Sequence, residues 1–410
     1  MKSFRNLYII IMVIRERYLK QLRELRDINI IKVVTGVRRC GKSTLLNMFK
    51  DELSNNGVAK KCIQQYNLED PNNSNFEDWK VFYNHIKDNL VANKMNYIFL
   101  DEIQMLDNFE RLLDGLHLLT NVDLYVTGSN AYLLSGELAT ILIGRAITIN
   151  MYPFSFAEYL DFLQINKPVE TNFTDYLQTG GFPQALQLQN ISYSLYNNYL
   201  KGLLETIIEK DIKTRNKIYN EKTFDNVIRF LADSVGSLVS ANNVTKTLKN
   251  DKKEVDDKTV SRYISILNDS FLFYHIDRFD IKGKKILKTN GKQYIVDTGF
   301  RNMLLGRENL SDIGHLLENV IYFELLRRGH SVWTGKNNDR EVDFISKDEQ
   351  GYIHYFQVCA SLRDASTRER ELSAFNAIKD HNPKTIITLD PEEPTYNGII
   401  CKNVINWLLS

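Results

Sequence analysis

A chain of 410 residues is too long for one ordinary hydrophobic core, so roughly two or three domains are expected. With 43% apolar and 25% charged residues it has the balance of a soluble globular protein, which excludes a disordered or fibrous chain. A formal net charge of +1 excludes a chain-wide electrostatic attraction to nucleic acid or a membrane surface, so any basic face must be local.

At the amino terminus Lys2 and Arg5 precede the apolar run Leu7–Ile14. The run is too short to span a bilayer and no small-residue cleavage site follows it, so neither export nor a membrane anchor is expected. Met12 is an alternative start to Met1. Cys40, Cys62, Cys359 and Cys401 stand far apart, with no C-x-x-C pair and no histidine at metal spacing. They read as reduced thiols of a cytoplasmic protein.

Residues 1–30 are assigned to a leader and a charged amphipathic helix at 15–26. Residues 31–155 alternate β-branched runs (Ile31–Thr35, Cys62–Tyr66, Tyr97–Asp101, Leu124–Thr127, Ala146–Asn150) with helical stretches. That alternation predicts an α/β domain with a parallel sheet.

The first run leads into Gly36-Val37-Arg38-Arg39-Cys40-Gly41-Lys42-Ser43-Thr44 and then an apolar-periodic helix. This is G-x-x-x-x-G-K-[ST] in its meaningful context of strand, glycine loop and helix. Backbone N–H groups of Gly36–Thr44 and the helix N-terminus would cradle phosphates. Lys42 would reach the β- and γ-phosphates of ATP, and Ser43 would complete a Mg2+ ligand set. Cys40 is read as carrying no chemistry, its side chain in a free position where a thiol reagent would crowd the phosphates.

The strand Tyr97–Asp101 delivers Asp101 and Glu102 at its carboxyl end, where α/β sheets bind ligands. Asp101 is assigned to the magnesium through water, and Glu102 to the base that polarises the attacking water. After the next strand, Ser129 or the longer Asn130 is placed to sense the γ-phosphate, although Gly-Ser-Asn is also good turn chemistry. Arg145 is a candidate arginine finger, acting within the subunit or on a neighbour; a solvated surface arginine is the competing reading.

Residues 156–222 read as a helical lid interrupted at Gly180–Pro183. In 223–290, helices at 241–250 and 257–269, the second capped by Asp256 or Asp257, precede strand-like runs Phe271–Asp280 and Lys284–Leu287. That is the order of a winged helix. Lys258, Ser261 and Arg262 on its second helix, with Lys282, Lys284, Lys285 and Lys288 on the hairpin, form a local basic face for DNA; an interdomain lid is the alternative. Residues 291–410 read as a second, independent α/β core.

Together GVRRCGKSTLL, IFLDEIQ, YVTGSNAYLLSGELAT, YLQTGGFPQAL, DIKGKKILKT and EVDFI…QVCASL resemble a family of prokaryotic two-part ATPases, from about Arg15 to Leu409. In that family an AAA-type ATPase domain is joined to a C-terminal domain with a restriction-endonuclease-like fold. The resemblance implies ATP binding at Gly36–Thr44 and Asp101–Glu102. Against the PD-(D/E)xK nuclease pattern, Glu318 fits the upstream acid and Asp343 the first metal-binding aspartate. Gln357-Val358-Cys359 stands where acid-x-lysine belongs. An amide adds no charge toward a cation and a thiol does not replace an ammonium, so the domain reads as a degenerate nuclease scaffold.

The architecture expected is therefore a P-loop sheet, a helical lid, a winged helix and a nuclease-like α/β domain. The expected function is an ATP-driven motor or switch acting on nucleic acid. The alternatives are an ATP-controlled switch of protein assembly, with a partner protein or a homo-oligomer, and an active metal-dependent nuclease.

Overall fold

The computed structural model describes residues 12–129, 131, 144–164, 169–250, 255–283, 285–306, 312–337, 340–376 and 378–410. Helix α1 (Glu16–Glu24) leads into β1 (Ile31–Thr35), the glycine loop and α2 (Lys42–Asn55). β2 (Ile63–Asn67), α3 (Trp79–Asp88), β3 (Asn96–Asp101), α4 (Phe109–His117), β4 (Val122–Gly128) and β5 (Ala146–Asn150) follow. The five strands form one sheet in the order β2-β3-β4-β1-β5, every neighbouring pair parallel. β1, β3 and β4 are buried over their whole length, which is why they read as continuous apolar runs rather than alternating ones. Parallel pairing brings the carboxyl ends of β1, β3 and β4 to one edge of the sheet, and with them the glycine loop, the Asp101–Glu102 pair and Ser129.

A helical layer comes next: α5 (Phe156–Leu163), α6 (Val169–Thr179), α7 (Pro183–Gln189) and α8 (Tyr193–Thr206). A π-helical turn (Ile207–Lys213) continues α8 and α9 (Glu221–Asp233) follows. A capping box starts α5, with Ser155 Oγ accepting the Glu158 N–H at 3.2 Å and Glu158 Oε2 accepting the Ser155 N–H at 2.8 Å. The break before α7 has a packing cause. The buried Asp297 carboxylate accepts the Gly181 N–H at 2.7 Å, and a Cβ on Gly180 would lie 2.1 Å from that carboxylate.

The remainder is β6 (Leu238–Val239), α10 (Ala241–Asn250), α11 (Asp257–Asp269), β7 (Phe273–Asp280), β8 (Lys285–Ile295), α12 (Thr298–Leu305) and α13 (Ile313–Arg327). Then come β9 (Ser331–Asn337), β10 (Arg340–Lys347), β11 (Ile353–Val358), α14 (Ala365–Ser373), β12 (Lys384–Thr388), β13 (Thr395–Tyr396), β14 (Ile399–Asn403) and α15 (Val404–Leu409). Asp256 caps α11 by accepting the Thr259 N–H at 2.7 Å. The helix, helix, hairpin order expected after 236 is present.

Its separateness is not. β7 pairs in parallel with β9 through Arg278–Asp280 and Thr334–Lys336, so the hairpin belongs to a nine-stranded sheet, β13-β14-β12-β11-β10-β9-β7-β8-β6. An unpaired β7 edge would have exposed a row of backbone donors and acceptors; β9 takes them. The boundaries expected at 222/223 and 290/291 therefore fall inside α9 and β8. Nor is the second core independent: one apolar cluster runs from Val34 and Phe49 through Phe154 and Leu231 to Phe344 and Val358. Tyr152 bridges it, its ring 5.4 Å from Phe323 and 5.8 Å from Tyr274. Among the described residues, no helix is long and apolar enough to cross a membrane.

Candidate nucleotide site

The loop between β1 and α2 is bent by glycines with positive φ, +148° at Gly36 and +111° at Gly41. At Gly36 a Cβ would sit 2.0 Å from the Met151 carbonyl oxygen, so only glycine lets this backbone lie against the end of β5. Arg15, just before α1, holds the loop from below, donating to the carbonyls of Cys40 at 3.2 Å and Tyr152 at 3.0 Å and pairing with Glu158. Nothing in the local sequence singles out Arg15 for this.

Lys42 is buried, and its ammonium donates to the carbonyl oxygens of Gly36 at 2.9 Å and Val37 at 3.3 Å, with Glu102 Oε1 at 3.7 Å. Asp101 accepts a hydrogen bond from the Thr127 hydroxyl, and Ser43 lines the same cavity. Thr127 Oγ1 in turn accepts the Glu102 N–H at 2.9 Å. Glu102 has a left-handed backbone, φ 53°, at the start of the short helical turn Ile103–Met105. Burial raises the Asp101 pKa against the pull of the nearby hydroxyls. Burial opposes ionisation of Glu102 too, but the Lys42 ammonium, with Gln104, Arg38 and Ser129, prevails and holds its pKa below the usual value. These groups face a cavity of about 620 Å³, the size of an ordinary small-ligand site. Lys42, Ser43, Thr44, Asp101 and Glu102 are among its polar lining residues, and Met48, Phe154, Phe162 and Pro183 among its apolar ones.

Residues 29–160 match the AAA domain family model, and residues 170–311 match a Domain of unknown function (DUF8612). An uncharacterised protein of Haemophilus influenzae is 36% identical over 403 residues, spanning 97% of this chain and 99% of its own. The chain belongs to the same family as that protein. It carries an AAA-type ATPase domain on a P-loop sheet. An uncharacterised protein of Methanocaldococcus jannaschii is 28% identical over 374 residues, 86% of this chain and 79% of that one. The Walker-type ATPase PABY2304 of Pyrococcus abyssi is a structural neighbour with TM-score 0.48 and 15% identity, covering 72% of this chain and 96% of that chain.

The other residues singled out for this AAA domain are placed differently, although Arg38, Arg39 and Cys40 also border the cavity. Val37 and Cys40 are fully buried, and Cys40 Sγ lies 3.5 Å from the Met151 carbonyl oxygen, so the free position expected for this thiol is not found. Arg38 also turns inward, to Asp211 and Glu69, whereas Arg39, Ser43 and Thr44 are exposed. Ser129 is buried at the end of β4; Asn130 lies outside the described residues. Arg145 does not approach Lys42 or Glu102 within the chain. Its carbonyl accepts the Ile31 N–H at the opposite end of the sheet, and its exposed guanidinium pairs with Asp114 at 2.8 Å.

A second polar cluster lies in the nine-stranded sheet. Glu318 on α13, Asp343 on β10 and Gln357 on β11 do converge, Asp343 donating its N–H to Gln357 Oε1 at 3.2 Å and accepting the Val358 N–H at 2.9 Å. An ammonium lies among them, that of Lys292 of β8. Its Nζ lies 3.1 Å from Glu318, 2.8 Å from Glu341 and 3.3 Å from Asp343, at 1% exposure. Tyr294, two residues on and so on the same face of β8, donates to Glu318 at 3.1 Å. Burial pushes Glu318 up to about 8 despite Lys292. Cys359 is buried beside this cluster, its thiol pushed up to about 12 by burial and by the carboxylates of Glu371 and Asp343.

Proposed function

We propose that this AAA-domain protein hydrolyses ATP with magnesium and uses the cycle as a motor or switch acting on nucleic acid. The observation that carries the reading is the convergence on one cavity, beside Ser43, of three groups: a lysine held mainly by neutral carbonyls, a buried aspartate, and a glutamate kept ionised. The Lys42 ammonium would exchange the carbonyls of Gly36 and Val37 for phosphate oxygens, a stronger, charge-assisted pairing. Amide groups of the glycine-bent loop and the N-terminus of α2 would hold the rest of the triphosphate. The oxygen donors Ser43 and Asp101 fit magnesium, which when bound would neutralise phosphate charge. Glu102, ionised near neutral pH, would orient the attacking water and accept its proton.

The nucleic-acid target rests on exposed residues of two adjoining elements, Lys258, Ser261 and Arg262 on α11 and Lys282 and Lys285 on the hairpin. Lys284 and the side chain of Lys288 lie outside the described residues. For the Lys292 cluster we propose a docking or binding scaffold without cleavage. Three carboxylates already enclose an ammonium there, so the donors do not fit a free divalent-cation site.

Glu102→Gln tests the chemistry. Turnover should fall about 10²–10⁴-fold while calorimetric binding of a non-hydrolysable ATP analogue persists. Unchanged turnover removes Glu102 as the base. Measuring the parent rate with and without single- and double-stranded DNA tests the target: salt-sensitive stimulation is expected. Its absence, with ATP-dependent oligomerisation, would favour the protein-assembly switch.

A further inference from the structure

Arg38 belongs to the phosphate loop, yet its guanidinium is engaged by carboxylates from outside the loop. Nε and Nη2 form a bidentate pair with Asp211 at 2.9 and 2.8 Å, and Nη1 donates to Glu69 Oε1 at 2.7 Å. Asp211 takes a third donor, the Ser129 hydroxyl, at 2.9 Å. Gln104 continues the chain, donating to Ser129 Oγ at 3.2 Å and to Glu102. A single hydrogen-bonded network therefore joins Glu102 to the π-helical turn that carries Asp211.

A serine hydroxyl has one proton to donate, so while Ser129 donates to Asp211 it has none for a phosphate oxygen. Arg38 likewise has Nε and one N–H from each Nη group committed to carboxylates. Arg38 lines the cavity, and Ser129, fully buried at the end of the strand between β1 and β3, is joined to the cavity-lining Glu102 through Gln104. Asp211 presents to them an anionic, bidentate oxygen acceptor, the same chemistry that a phosphate presents. The element carrying it is a seven-residue π-helix, a rare geometry concentrated at functional sites.

We infer that Asp211 is a specificity residue of the nucleotide site, a resident competitor of the γ-phosphate for Arg38 and Ser129. The inference rests on the nucleotide reading above. A triphosphate displaces Asp211 from these donors and frees the π-helical turn; a diphosphate leaves the latch closed. Triphosphate binding and opening of 207–213 are then one linked equilibrium, and the coupling must be reciprocal.

Two measurements test it. In the full-length parent, backbone hydrogen exchange across 207–213 should quicken with a non-hydrolysable ATP analogue and stay unchanged with ADP. In Asp211→Asn, which keeps the shape and removes the charge, analogue affinity by calorimetry should rise about 5–150-fold, with ADP affinity unaltered. Analogue binding that slows exchange at 207–213 or leaves it unchanged overturns the latch alone. So does an Asp211→Asn variant whose analogue affinity falls or stays the same. A parent that binds neither nucleotide overturns the nucleotide reading itself, and the latch with it. The exchange measurement needs no variant and decides the matter even if Asp211→Asn fails to fold.

Discussion

Two lysines sit among carboxylates in this molecule, and their surroundings are opposite. Lys42 has the neutral carbonyls of Gly36 and Val37 as its nearest acceptors, one carboxylate at 3.7 Å and a cavity in front of it. Lys292 is itself buried and has three carboxylates within 3.3 Å. The first ammonium improves its interactions by accepting a phosphate anion. Around the second, burial outweighs the pull of the ammonium and, with the Asp343 charge adding to it, raises the Glu318 carboxyl to about 8. A lysine near acids is thus no signature of a catalytic site; its availability is decided by how many charges already hold it.

The contrast breaks most visibly at Lys292. Lys292→Met leaves the buried Asp343 and the half-buried Glu341 without their counter-ion and should cost about 3–5 kcal/mol in chemical denaturation, with ATP-analogue affinity unaltered. A loss below about 1 kcal/mol would show the cluster to be solvated and open, closer in kind to Lys42. The next effect is on pH. Glu318 titrates near 8 in the folded protein against an ordinary 4.5, so between those values the folded state retains a proton that the unfolded chain has released. Stability should therefore fall as pH rises through that window, by up to about 1.4 kcal/mol per unit for one proton, and level off above it. Glu318→Gln keeps an acceptor for Tyr294 and removes the titration, so that part of the slope should vanish in melts recorded from pH 5 to 8.5.

The same contrast marks what could be read beforehand. The Lys42 site was legible because its chemistry is contiguous: strand, glycine loop and helix in one run, two acids ending another strand. The cap at Asp256 was legible for the same reason. Lys292 is not legible because the sequence pattern ends the hairpin strand at Leu287, before Thr-Asn-Gly-Lys, and Asn-Gly normally signals a turn. In the fold Gly291 is instead a strand residue, placed where a Cβ would come 2.2 Å from the Ile276 carbonyl oxygen. Once β8 runs to Ile295, Lys292 and Tyr294 alternate onto one face toward Glu318. Arg15 and Asp211 left no local trace, since their partners lie 143 and 173 residues away. Pairings of that span are set by how the layers stack.

Arg145 gives the smallest effect and bears on where the nucleotide site ends. It precedes β5, whose far end lies beside the phosphate loop, so five strand residues separate the two, about 16 Å at ~3.3 Å per residue. Its partner Asp114 is exposed, as is Arg145 itself, and such pairs contribute about 0–1 kcal/mol. Arg145→Ala should therefore lower stability by less than about 1 kcal/mol and leave ATP-analogue affinity of the dilute protein unaltered, as read by denaturation and calorimetry. A turnover defect that emerges only as concentration rises would assign the guanidinium to a neighbouring copy, where the intervening strand is no obstacle. An affinity defect persisting at every dilution would require the strand end to reach the phosphates within one chain, which pairing of β5 along the whole of β1 does not permit.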